Sequence, residues 1–237
     1  MDCILCRWIC DRFCPPEMGR DAFWDYVIQW DRGFGSSWEP CEEETVRERS
    51  IAADDLFTVD RPAAIREFAV LAEQGSVWSA RWLSYCYEVG EGVEQDLKRA
   101  EEYSSRALQG GSWMASLELA KLLCRHSINE RWEAILADGD EQDFVPSTFW
   151  LAWYRYKRDP ERSTARAVRP LLEKAALAGQ PGARYLLARW KIGGKFGFGE
   201  IPQGFRDGRA VMQQFTTREL PTSELGTGSE REAVLAR

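Results

Sequence analysis

Four of the chain's seven cysteines fall within its first fourteen residues, spaced Cys3-x-x-Cys6-x-x-x-Cys10-x-x-x-Cys14. Thiols in that number suffice for a tetrahedral zinc site or an iron–sulfur cluster, and Cys14-Pro15 faintly resembles a cluster-binding ending. The spacing departs from the bacterial ferredoxin run. Helical geometry offers a plainer reading: at about 100° per residue all four lie in one narrow stripe, as core cysteines do. On an intact helix Cys3 and Cys14 stand roughly 16 Å apart, too far to share one metal. A metal or redox site at Cys3, Cys6, Cys10 and Cys14 therefore requires a non-helical segment. A third reading takes the stretch as non-native, because Cys14-Pro15-Pro16 breaks it off just before Met18.

Elsewhere the reactive side chains do not assemble. Cys86 and Cys124 sit in helix-periodic segments and read as small core hydrophobes. Cys124 stands two residues from His126, the only histidine, and neighbours two apart on a helix point to different sides. A Cys–His catalytic pair and a multi-histidine metal site are both disfavoured. Gly193-Gly194-Lys195 lacks the preceding strand and the spacing of a phosphate-binding loop. No nucleophile–base constellation remains, so the expectation is a protein without catalysis and without a cofactor.

The formal net charge of −7 argues against nucleic acid as the main partner. Charge is uneven: Glu42, Glu43, Glu44, Glu48, Asp54 and Asp55 crowd one stretch, and Arg155, Lys157, Arg158, Arg162, Arg166 and Arg169 another. Solvated helix faces are the bland explanation, a docking patch for an acidic partner the sharper one. No apolar run reaches the roughly 18 residues of a membrane helix. No basic leader with a cleavage site is seen, so a cytoplasmic location is expected.

What positions these groups is a repeat. A small residue followed four positions on by Leu and another small residue occurs at Ser79…Leu83-Ser84, Ala115…Leu119-Ala120, Ser147…Leu151-Ala152 and Ala183…Leu187-Ala188, at intervals of 36, 32 and 36 residues. Such a period marks a solenoid of helix pairs. Asp60 and Ala64 match Asp96 and Ala100 at the same offset, as Gly75 matches Gly111. Each unit reads as an A helix (about 61–73 and 97–109), a glycine turn, and a B helix (about 79–89 and 115–125). Small residues on the B helix admit the A helix closely, and the Leu between them fills the core.

The third unit looks worn: Asp143 replaces the turn glycine, and Asp138-Gly139-Asp140-Glu141 is expected to interrupt its A helix. The fourth recovers, with Gly179 at its turn. Gly193 to Gly199 form a glycine- and aromatic-rich loop before a last helix, about 205–215. The organisation expected is therefore a Cys-rich segment at 1–18, a helical cap at 19–59, an array at 60–215 and a disordered tail at 216–237. Of eleven tryptophans, Trp82, Trp150, Trp153 and Trp190 read as core; Trp78 and Trp113, just before B helices, either staple the turn or anchor a partner.

With the units aligned, the motif resembles the Sel-1-like repeat, a relative of the tetratricopeptide repeat. Ser79, Leu83, Ser84, Tyr87, Gly90, Gly92, Val93, Asp96 and Ala100 fall on that family's positions without a gap, Ser standing in for Ala and Gly. Ala107 and Gly111, then Ala175, Ala176 and Gly179, close later A helices, and Ile201-Pro202-Gln203 looks like the Val-Pro-Gln that starts a repeat. The resemblance implies an all-α, right-handed α-solenoid of about four helix-turn-helix repeats with N-terminal capping helices. It implies an adaptor that binds another protein or peptide along the concave, A-helix side, and no catalytic residues. A regulatory or immunity protein that sequesters one partner is a subtype the sequence neither supports nor excludes. Contacts are expected at Arg66, Glu67, Trp78, Glu102, Tyr103 and Trp113, with neither nucleic acid nor membrane as partner. The alternative is a metal- or redox-responsive regulator using the N-terminal cysteines.

Overall fold

The computed structural model of the chain describes residues 20–217, and the side chains of residues 23–214. Among the described residues all regular structure is helical. Two helices come first, α1 (Arg20–Gly35) and α2 (Glu44–Val59), joined by a short 3-10 turn at Ser36–Trp38. The A and B helices then alternate: α3 (Arg61–Glu73) and α4 (Val77–Val89), α5 (Leu97–Gln109) and α6 (Trp113–Arg125), α7 (Arg131–Glu141) and α8 (Val145–Arg158). A six-residue helix, α9 (Arg162–Ala167), precedes the fourth pair, α10 (Arg169–Leu177) and α11 (Pro181–Ile192). Helix α12 (Ile201–Thr217) ends the described chain. The fold is an all-α solenoid of helix pairs, and it divides into two compact units. One comprises residues 34–147; the other joins residues up to Gly33 with those from Thr148 onward.

The A–B turns explain the period. In each, one backbone N–H reaches back five residues and its predecessor reaches back three, the paired closure that satisfies carbonyls at a helix end. Ser76 N bonds Leu71 O and Gly75 N bonds Ala72 O; Ser112, Phe144 and Gln180 repeat the first bond onto Ala107, Gly139 and Ala175. The residue at the bend is left-handed every time, with φ of 93° at Gly75, 91° at Gly111 and 98° at Gly179. Asp143 takes the same place at φ 61°. Aspartate is among the few non-glycine residues that tolerate this conformation, so the substitution conserves the turn.

The third unit is therefore regular, and two expectations about it are corrected. Helix α7 runs through Asp138-Gly139-Asp140 to Glu141 without a break. Its glycine is an adaptation to packing: a Cβ at Gly139 would lie 2.3 Å from Ser147 Oγ and 2.6 Å from Ser147 Cβ. The cost of glycine in a helix, about 1 kcal/mol, is accepted where the facing B helix comes too near for any side chain. Gly139→Val is accordingly expected to destabilise the protein by about 1–3 kcal/mol through overpacking, measured as a lower urea midpoint.

The motif residues sit where packing needs them. Ser79, Ala115, Ser147 and Ala183 are fully buried, and Leu83, Leu119, Leu151 and Leu187 are all in the core. Asp60 and Asp96 accept from the first-turn amides of α3 and α5, so the shared Asp is an N-cap. Trp82, Trp150 and Trp190 are buried; Trp153 is half-buried against Trp24. The two helices before the array cover different members of it. Helix α2 packs on α3. Helix α1 lies against later repeats, with Phe23 on Tyr185 and Trp24 between Trp150 and Trp153. Helix α12 starts at Ile201, where the resemblance places a repeat start, and reaches two residues into the segment expected to be a tail.

Candidate functional site

The six expected contact residues all fall in residues 34–147, on α3 to α6. Two are open to solvent. Arg66 on α3 and Glu102 on α5 are exposed, and their 36-residue separation gives them equivalent places on successive A helices. The other four are engaged within the fold. Glu67 is paired with Arg49 at 2.6 Å. Tyr103 stacks on Tyr87 with centroids 5.7 Å apart and planes 4° from parallel, under the Arg106 guanidinium. Burial and the neighbouring Tyr87 push the Tyr103 phenol above its ordinary pKa.

Trp78 and Trp113 staple their turns. Trp78 packs edge-on against Phe68 (5.8 Å) and Trp82 (5.7 Å). Trp113 lies between Trp38 (5.2 Å) and Phe144 (5.4 Å). Both indoles stay half-buried, so each still shows an edge to solvent.

Ion pairs tie the repeats together along both helix rows. Arg106 reaches Glu73 from α5 to α3, and Arg131 reaches Glu101 at 2.7 Å from the start of α7 to α5. On the B row Arg81 forks onto both oxygens of Glu118, and Glu88 receives Arg125 and His126. Each exposed pair contributes about 0–1 kcal/mol. Arg66 and Glu102 are among the charges that these pairs leave unmatched.

A second arrangement was not foreseen. Glu39 and Glu42, on the extended segment before α2, each bond the start of a B helix. Glu42 Oε1 accepts from Trp78 N at 2.8 Å, and the same carboxylate accepts from Ser76 Oγ at 3.1 and 3.2 Å. Glu39 accepts from Met114 N at 2.8 Å and Ser112 Oγ at 2.7 Å. The two serines are the N-caps of α4 and α6. A carboxylate at a helix N-terminus meets unsatisfied N–H groups and the positive end of the dipole. Glu42, grouped in the sequence with a solvated acidic face, is thus a strap residue. The one local sign was Glu-Pro-x-Glu beside two Ser N-caps 36 residues apart, and nothing in the sequence joins them across that distance.

In the other unit Asp31 does related work: it is 1% exposed and accepts from Trp150 Nε1 at 2.7 Å and Gln180 Nε2 at 3.0 Å. Gln180 in turn caps α11 through Ala183 N.

The proposed metal ligands Cys3, Cys6, Cys10 and Cys14 lie outside the described residues, and among those described no group of three or more His, Cys, Asp or Glu gathers around a metal position. Cys86 is buried, and burial, with Glu91 nearby, pushes its thiol up to about 12. Cys41 is exposed. In the folded protein a thiol reagent is expected to label Cys41 and spare Cys86, read by peptide mass. The unfolded Cys86 thiol ionises near 9 while the folded one stays neutral to about 12. Raising pH through that window favours the unfolded state, so stability should fall there.

Scans against protein-family models and curated proteins find no match to the sequence. Structural comparison does. A protective antigen of uropathogenic Escherichia coli strains, displaying an SLR fold, superposes with TM-score 0.54 at 18% identity over 88% of this chain and 47% of its own. The chain spans about half that antigen's length. A Sel1 repeat protein from Oxalobacter formigenes superposes with TM-score 0.55 at 14% identity, over 86% of this chain and 92% of its own. The chain has the Sel1-repeat fold. No helix among the described residues is long and apolar enough to cross a membrane.

Proposed function

We propose that the protein is a non-catalytic scaffold, in the cytoplasm, whose helical repeats bind another protein. The observation that carries this reading is the pairing of Arg66 and Glu102. They are exposed at equivalent positions of successive A helices, while Glu67, Glu73, Glu101 and Arg106 beside them are ion-paired. Two exposed, opposite charges at equivalent places on successive helices present partner contacts at the repeat spacing. The exposed edges of Trp78 and Trp113 add apolar anchors of the kind that dominate interface energetics. Sequestration of a single cognate partner is one form such a scaffold takes.

The test is affinity capture with the wild type and with the charge exchange Arg66→Glu/Glu102→Arg, both folded by circular dichroism. A dominant protein partner that the exchange weakens by about tenfold or more supports the reading. Capture of no protein, or a partner indifferent to the exchange, removes this surface from the account.

A further inference from the structure

Residues 148–217 carry thirteen Lys and Arg against five Asp and Glu, a net charge of +8 in a chain whose total is −7. Residues 34–147 carry eleven against 23, a net of −12. Three of the five carboxylates of the basic segment are spent locally. Glu173 and Glu200 each bond Arg169 at 2.7 Å, and Asp207 bonds Lys191 at 2.8 Å. Lys157, Arg162, Arg166, Arg189, Lys195 and Arg209 have no carboxylate partner among the described residues.

Two of these cations are held in place by the loop after α11. Arg162 donates to the Gly194 carbonyl, and Lys195 Nζ stands 4.8 Å from the Tyr156 ring centroid. Tyr156 rests on Trp190 at 4.3 Å, and Arg169 covers Phe196 at 4.5 Å. Phe198 is 80% exposed. It flanks the same glycine as Arg162: a Cβ on Gly194 would lie 3.6 Å from Phe198 and 3.7 Å from the Arg162 guanidinium. Gly197, at φ 122°, holds a conformation that only glycine adopts freely, so the loop's course is specified.

Complementing the helix dipole accounts for cations in the last turns of α8 and α11, Lys157 and Arg189 among them. It does not account for Arg162, which opens α9 where a cation is disfavoured, nor for Lys195 and an open phenylalanine.

We propose that the 193–199 loop, with Arg162, Lys195 and Phe198, is a docking surface for an acidic protein segment that carries an apolar side chain beside its carboxylates. The proposal rests on the scaffold reading and gives it a partner chemistry at a second surface. Guanidinium and ammonium groups without an internal carboxylate take those of the segment, and Phe198 takes the apolar residue. A short segment senses only charge within about 8 Å at physiological salt, and here that charge is positive. A nucleic acid extends further, into the field of a chain that is acidic overall. Tyr156, Trp190 and Phe196 are also committed to one another and to cations, which leaves Phe198 alone where single strands need a row of open faces for successive bases.

The probe is a fluorescent peptide of alternating Glu and Leu, with a Gln/Leu peptide of equal length as control and anisotropy as the readout. The Glu peptide should bind, weaken as salt rises, and exceed the control by about tenfold or more. Arg162→Glu/Lys195→Glu should cost about tenfold or more and Phe198→Ala several-fold. Arg162→Asp alone and Lys195→Asp alone serve as smaller charge reversals should the double change fail to fold. Equal affinity for the two peptides, or no loss in the folded reversal variants, overturns the proposal. Tighter binding of duplex DNA than of the Glu peptide reassigns the surface to a polyanion. A salt-sensitive dimer of the free protein that excludes the peptide reassigns it to a second copy of the chain. A partner lost on Arg66→Glu/Glu102→Arg but kept on Arg162→Glu/Lys195→Glu leaves the scaffold standing and removes this surface alone.

Discussion

Asp31→Ala is expected to lower stability by about 3 kcal/mol or more, the largest effect of any single polar substitution considered. The carboxylate is 1% exposed and accepts from the Trp150 indole and the Gln180 amide. Truncation strands both donors in the interior, and each unsatisfied group costs about 1–3 kcal/mol. The damage propagates, because Gln180 caps α11 through its own carbonyl oxygen. Loss of Asp31 frees Gln180 to turn away and uncaps that helix. A double-mutant cycle with Gln180→Ala should therefore show strong coupling, about 0.5–3 kcal/mol. Urea unfolding reads both quantities. A single-site loss below about 1 kcal/mol would mean water reaches this site and the network is not structural.

The second large effect belongs to the acidic strap. Glu39→Ala and Glu42→Ala each remove a carboxylate that bonds a backbone N–H and an N-cap serine of a different B helix. Hydrogen bonds to a charged group are worth about 1.5–3 kcal/mol, with up to about 1 kcal/mol more from the dipole. Each single change should cost about 2 kcal/mol. The double change should depart from additivity, since the two carboxylates are three residues apart and Glu39 also stands 3.9 Å from Arg81 on α4, the helix that Glu42 serves. Amide exchange at Trp78 and Met114 should quicken in the matching variant only. Glu→Gln keeps an acceptor and should cost less than Glu→Ala. Equal exchange at both amides in either variant would contradict the one-to-one assignment.

The repeat was legible because its determinants are local. A left-handed turn residue, an N-cap one position on, and small residues where helices meet recur at fixed offsets, and together they define α3 to α6 to within about two residues. The third unit misled because composition was read instead of conformation. Asp143 keeps the turn that glycine makes, and Gly139 answers a neighbour eight residues ahead. The strap and the Asp31 network stayed hidden for a different reason. Glu42 finds Ser76 34 residues away, and Asp31 finds Gln180 149 residues away. Periodicity reports only which face a residue takes within its own helix. Of the expected contact residues, Arg66 and Glu102 kept a free surface; Glu67 and Tyr103 found partners within residues 34–147 that no single repeat contains.

Hydrogen exchange on the complex with a captured partner tests the scaffold reading most directly. Protection appearing on the exposed faces of α3 and α5, around Arg66 and Glu102, with no change in the core amides of α4 and α6, is the predicted result. Protection confined to other segments, with α3 and α5 exchanging as in the free protein, would contradict it.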